Sequence, residues 1–329
     1  MKIQTFTPVG SDLALRWDPE HKHFDARGRA RDFVHAAATM GTDTPTLEPW
    51  DVPASNKRQA EQFRINCGMD NGKADWKEWM NGDGKIVAKN FDAILPLANK
   101  GWGDAVQRVA SLAGQVRQSV PAAMDIRPRS KWREEGDDFD IHRCYSGNFE
   151  SMFWGRSEGL APGPRIIHLV TPIGGHCGLG ASELFWCGAA ALVCTDVLQA
   201  AGYRVGIVAY NFSQHSNGFT CCGTSDVKAP GQHLQLAAVA TALCLPAFFR
   251  MAAMRFKGHA PMPIGGGWGS PGYAHNSATV RKHLERNGTI TPSSLLLGEI
   301  RNRKQCITEI KRCLAAVEAM RPISRRTTA

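Results

Sequence analysis

The stretch PRIIHLVTPIGGHCGLGASELFWCGAAALVCTDVLQAAGYRVGIVAYNF, residues 164–212, constrains the fold more than any other part of the chain. It opens with RIIHLVTPI, a continuous apolar run of buried-strand length. Ser182 can cap a helix start, and Glu183 in the first turn suits the positive end of the helix dipole. Leu184, Gly188, Ala191, Leu192 and Thr195 then recur at helical spacing. Gly202 supplies the left-handed residue that ends a helix. YRVGIVAYNF follows as a second strand. Strand, crossover helix and strand at this spacing predict a βαβ unit, parallel and right-handed.

Downstream, HLQLAAVATALCLPAFFRMAAMRF is apolar and helical, and Pro246 divides it into two helices by removing a donor and crowding the preceding turn. SLLLGEI reads as a short buried strand. RKQCITEIKRCLAAVEAM is an amphipathic helix with Cys306, Ile310, Cys313, Leu314 and Val317 on one face, stopped by Pro322. Together these predict an α/β domain with a doubly wound, mostly parallel sheet over residues 164–321. LAPGP marks its upstream boundary. Residues 61–163 read as a helical extension. In GWGDAVQRVASLAGQVRQSV, Val106, Val109, Ala113 and Val116 share a face behind an Asp104 cap. Trp76, Trp79 and Trp102 serve as packing anchors there. Residues 1–60 read as an irregular N-terminal arm with one helix around GRARDFVHAAATM, broken up further on by Pro45, Pro49 and Pro53. Residues 322–329 form a basic tail.

Charge narrows the partners. The formal net charge of +9 favours contact with acidic surfaces or nucleic acid. The concentrated basic piece is the end of the chain, with Arg321, Arg325 and Arg326 as the nucleic-acid candidates. No helix-turn-helix, zinc-finger or RNP-like aromatic pattern accompanies them. No run of about 18 apolar residues predicts a membrane span, and MKIQTFTPVGSDLALRW lacks the apolar core of a signal peptide. These features predict a cytoplasmic protein whose ten cysteines stay reduced. Asp137, Asp138 and Asp140 lack a glycine-turned loop with a closing glutamate, so they read as a solvated turn rather than a calcium site.

Ligands of α/β sheets bind beyond the carboxyl ends of the parallel strands, which here is Thr171 to Ser182. The strand IIHLVTPIG, the helix ELFWCGAAALVCTDVLQAAGYR and the strand VGIVAYNF resemble a von Willebrand factor A-like domain. NKGWGDAVQRVASLA, GDDFDIHRCYSGNFESMFW, PAFFRMAAMRF and GGGWGSPGY are similar to an uncharacterised bacterial and phage family with a degenerate version of that domain. The resemblance covers roughly residues 75–320. It implies a metal-ion-dependent adhesion site whose first element is Asp-x-Ser-x-Ser directly after the central strand, with oxygen ligands suited to a hard cation. In this sequence Thr171, Pro172, Ile173, Gly174 and Gly175 stand there, and the aspartate and both serines are missing. Thr171 offers one weak oxygen. No clear replacement acid follows the SLLLGEI strand except Glu299, read as lying inside it. The expectation is a site emptied of its metal chemistry, and no cofactor.

Other chemistry stays open on residues alone. His176 and Cys177 adjoin in the loop, and His215, Cys221 and Cys222 follow the second strand. If the two loops meet, these five are candidate ligands for zinc or a residual divalent metal. Cys177 as nucleophile with His215 as base is the enzymatic alternative. PMPIGGGWGSPGY lacks the Gly-Lys-Ser/Thr ending of a phosphate loop, and its Trp268 and Tyr273 are candidate anchors for a partner. The resemblance implies a non-enzymatic interaction or scaffolding protein, phage or mobile-element encoded, with an AAA+ ATPase as a partner class. The binding candidates are then Thr171, Gly174, Gly175, His176, Cys177, His215, Trp268 and Tyr273. Nucleic-acid binding through the basic surface and a metal- or cysteine-dependent enzyme remain as alternatives.

Overall fold

The computed structural model describes residues 3–6, 12–39, 81–82, 85–86, 91–119, 131–133, 138–139, 152–154, 166–173, 181–214, 218–245, 248 and 277–320. Three strands open the chain: β1 (Gln4–Phe6), β2 (Ala14–Asp18) and β3 (His23–Arg29), followed by helix α1 (Ala30–Thr39). A two-stranded hairpin, β4 (Asn81–Gly82) with β5 (Lys85–Ile86), precedes α2 (Phe91–Lys100) and α3 (Gly103–Ser119). A small antiparallel sheet then joins β6 (Lys131–Arg133), β7 (Asp138–Phe139) and β8 (Met152–Trp154). The remaining elements are β9 (Ile166–Pro172), α4 (Ala181–Ala200), β10 (Arg204–Gln214), β11 (Thr220–Lys228), α5 (Leu236–Cys244), α6 (Ser277–Arg286), β12 (Ser294–Leu296) and α7 (Arg303–Ala319).

The main sheet has seven strands in the order β1-β2-β3-β11-β10-β9-β12. β9 lies parallel to β10 on one side and to β12 on the other. α4 is the crossover between β9 and β10, as the apolar runs predict. β11 returns antiparallel to β10, and β3 pairs parallel with β11. β2 and β1 then extend the edge antiparallel. The N-terminal region is therefore no irregular arm: residues 4–29 contribute three strands to the sheet, although the helix anticipated around Ala30 is present.

Alternating side chains divide the sheet into two apolar faces. On one, Ile167, Leu169 and Ile207 pack under α4, and α3, α5 and α7 surround that helix. On the other, Val170, Val208, Tyr210 and Phe212 meet Val280 and Leu284 of α6. α4 is apolar on every side, which suits a helix surrounded by protein. Glu183–Ala200 is long and apolar enough by composition to cross a membrane, but 72% of it is buried inside the fold, as a core helix would be. Gly188 lets α5 approach: a Cβ there would lie 2.4 Å from the Leu243 carbonyl oxygen. Gly202, at φ +87°, ends α4, and Tyr203 N–H closes the turn on Leu198 O at 3.0 Å.

Some local details differ from the sequence reading. α4 begins at Ala181, so Ser182 lies within its first turn rather than capping it. On α3 the buried face is Ala105, Val109, Leu112, Ala113 and Val116, with Val106 at its margin. Trp102 is buried edge-on against Phe185, its predicted packing role; Trp76 and Trp79 lie outside the described residues. Leu245 is extended directly before Pro246 (φ −87°, ψ 114°), as the residue before a proline prefers. Asn302 caps α7 by accepting from Gln305 N–H, and the five predicted apolar residues of that helix are all buried.

Candidate functional site

The carboxyl end of β9, between β10 and β12, is where the sequence places its site. Thr171 is fully buried, and its hydroxyl donates to the Cys187 carbonyl of α4 at 3.4 Å. It is turned into the core. Ile173 N–H continues the strand pairing onto Tyr210 O at 2.9 Å. β12 ends at Leu296, so Glu299 lies beyond the strand and not inside it. Its carboxylate is engaged by Arg301 at 3.0 Å. The segment after β12 is held to the helical layer: Cys187 Sγ and Ile300 exchange contacts of 3.3–3.4 Å, and Gly298 N–H donates to Glu309 at 3.0 Å. Burial raises the Glu309 proton affinity, but the Arg312 side chain and Gly298 N–H hold it below the usual range. Gly174, Gly175, His176, Cys177, His215, Trp268, Tyr273, Arg321, Arg325 and Arg326 lie outside the described residues.

Cys221 and Cys222 require a correction. They do not sit in a loop after the second strand but inside β11, paired with Ser213 and Phe212 on one side and with Phe24 and Asp25 on the other. Adjacent strand residues point to opposite faces. Cys221 accordingly joins the α4 side of the core and Cys222 the α6 side. One ion cannot be chelated by both.

A different polar cluster forms at the same end of the sheet, two strands away from β10. His23 and Asp25 alternate on β3, so both face the α6 side, where His283 projects from α6. Nε2 of His23 stands 2.7 Å from Asp25 Oδ1, and Nε2 of His283 stands 3.7 Å from the same oxygen. The ring centroids are 3.9 Å apart and steeply inclined. His23 is 3% exposed and His283 9%. Among the described residues neither Nε2 has a hydrogen-bond partner; the close His23 contact to Asp25 is off the line a hydrogen bond needs. His23 Nδ1 shares a 2.6 Å hydrogen bond with Thr220 Oγ1. Asn287 Nδ2 lies 3.5 Å from Asp25 Oδ1, at the outer limit of such a bond.

Electrostatics follow from this packing. Burial would raise the Asp25 carboxyl, but the two imidazoles hold it well below the usual carboxylate range. Burial pushes His283 down, against the pull of Asp25. His23, Asp25 and His283 are thus a set of one carboxylate and two imidazoles whose donor atoms all lie within 4.8 Å of one another. The nearby Asp18, Glu20 and His21 also gather, but there Asp18 accepts from His21 N–H and lies 2.9 Å from His21 Nδ1, which builds the β2–β3 turn. Sequence reasoning passed over the first cluster. The His-x-Asp spacing at 23–25 was a local hint, and nothing nearby in sequence pointed to His283.

A cavity of about 510 Å³ opens between the start of α1, β11 and α5. Its basic side chains are engaged internally. Arg29 meets Asp12 and Asp32, and Lys228 Nζ donates to Val205 O at 2.5 Å and to Ala229 O at 3.1 Å.

A family model described as Domain of unknown function (DUF7192) matches residues 33–314. The chain belongs to this family. The DUF7192 span takes in α2 to α6 and the first part of α7, the carboxyl end of β9 and His283, while β1–β3, with His23 and Asp25, precede it. No curated protein and no solved structure matches the chain.

Proposed function

We propose that the chain is a doubly wound, von Willebrand A-like domain that binds another protein rather than catalysing a reaction. Its strand order supports this. Leaving β9, the chain passes through α4 to β10 on one side, and later returns to β12 on the other, so the winding reverses at β9. The observation that carries the reading is the state of the β9 end. Thr171 is turned inward onto Cys187, and Glu299 is paired with Arg301. Among the described residues, Thr171 and Glu299, the oxygen candidates at that end, are engaged in internal contacts, which supports reading the sheet end as a recognition surface. An AAA+ ATPase is the partner class that the resemblance implies.

Affinity purification of the tagged full chain from its native cells, with and without nuclease, followed by mass spectrometry, tests this. Arg301, 44% exposed at this sheet end, supplies the matched variant. The expected result is one protein partner that survives nuclease and is depleted in Arg301→Glu while the circular dichroism spectrum is unchanged. Proteins that disappear on nuclease treatment would replace this reading with nucleic-acid binding through the basic surface, whose affinity should fall steeply with salt.

A further inference from the structure

We propose that His23, Asp25 and His283 bind one divalent transition-metal ion of the zinc class. This is not the adhesion-type site at the end of β9, and it does not rest on the protein-binding reading. It stands on donor chemistry and on two buried ring nitrogens that have no well-formed hydrogen bond among the described residues.

Two imidazoles and one carboxylate suit a borderline ion, whereas magnesium and calcium take oxygen ligands. The donor atoms are close to the separations such an ion needs. Tetrahedral zinc with bonds of about 2.0–2.1 Å spaces its ligands by about 3.3 Å. The Asp25 oxygen lies 2.7 Å from one nitrogen and 3.7 Å from the other, so shifts of about half an ångström bring those two separations to that spacing, and the whole donor set lies within 4.8 Å.

The unpartnered atoms give the second, independent observation. A buried ring nitrogen without a well-formed hydrogen bond is costly, and among the described residues there are two here, Nε2 of His23 and Nε2 of His283, both standing beside one carboxylate oxygen. An ion between them would satisfy both at once. The contact behind His23 has the form that metal-bound histidines use: the opposite ring nitrogen is held by a side chain. With Nδ1–H donating to Thr220 Oγ1, the Nε2 lone pair is free to point at the ion. Asp25, held ionised, supplies the negative charge. Three protein ligands leave a fourth position to water.

The test uses the full-length protein, stripped with a chelator and then titrated with zinc chloride, with bound metal counted by mass spectrometry. The expected result is one equivalent bound and a thermal midpoint that rises with zinc. His23→Gln with His283→Gln together should abolish both effects. Thr220→Val should weaken binding about 10- to 100-fold, the usual loss when a supporting contact is removed. Cobalt provides a measurement that needs no variant: nitrogen and oxygen ligands give visible d–d bands without the near-ultraviolet charge transfer of thiolates. A stripped protein that shows neither zinc-dependent stabilisation nor cobalt bands overturns the proposal. So does a thiolate band, or binding unchanged in the double variant, either of which would place the metal on cysteines elsewhere.

Discussion

Replacing Gly188 by alanine tests whether the packing of α4 against α5 is as close as the structure has it. In an open helix the change should help, because alanine is favoured over glycine by about 1 kcal/mol. At Gly188 the new Cβ would lie 2.4 Å from Leu243 O, 2.6 Å from Leu243 C and 2.7 Å from Cys244 Sγ. The two nearest atoms are backbone of α5, so no side-chain rotation relieves them. α5 must retreat by about an ångström, and a gap of that size forfeits a quarter to a half of each neighbouring dispersion contact. Overpacking of this kind costs about 1–3 kcal/mol. The expected net loss is about 2 kcal/mol once the overpacking is weighed against the propensity gain. Gly114 on α3 is the control, since it is exposed and its added Cβ would meet nothing within 4 Å. There the same substitution should stabilise by about 0.5–1 kcal/mol. Urea unfolding of both variants, compared at equal m-values, reads the difference. A Gly188→Ala protein as stable as the parent would refute the close approach of these helices.

Further expectations concern buried polar and ionisable groups. In metal-free protein, His283 is held neutral by burial, so the unfolded chain takes up the proton first and stability should fall as pH drops below about 6.5. Asp25, held ionised beside the two imidazoles, adds a second loss as pH falls below about 3.9. Unfolding midpoints at about pH 7.5 and pH 5.5 should diverge less in His283→Gln than in the parent; equal divergence would remove His283 as the cause. Lys228→Met should cost about 1–3 kcal/mol in thermal or urea unfolding, because the buried Val205 carbonyl loses its ammonium donor; no loss would mean that this contact is immaterial. Burial pushes the Cys187 and Cys306 thiols up to about 12, so iodoacetamide mapping should label them only after denaturation. Rapid labelling of the native protein would contradict their burial.

The parts legible in the sequence are those written into neighbouring residues. RIIHLVTPI, the α4 periodicity, Gly202 and the apolar face of α7 each occupy one short window, and burial selects them locally. The N-terminal strands were not legible, because β2 and β3 lie near the edge and mix buried with exposed positions, so no apolar run announces them. β11, TCCGTSDVK, is polar and small along its length and becomes a strand because β10 and β3 supply partners on both sides. That pairing also removed Cys221 and Cys222 from the loop they were expected to share with His215. The sequence by itself determined the βαβ core, since it is a property of contiguous residues. Only the tertiary structure decided that His23 and Asp25 on β3 meet His283 on α6, because that meeting depends on which strands pair and which face a distant helix covers.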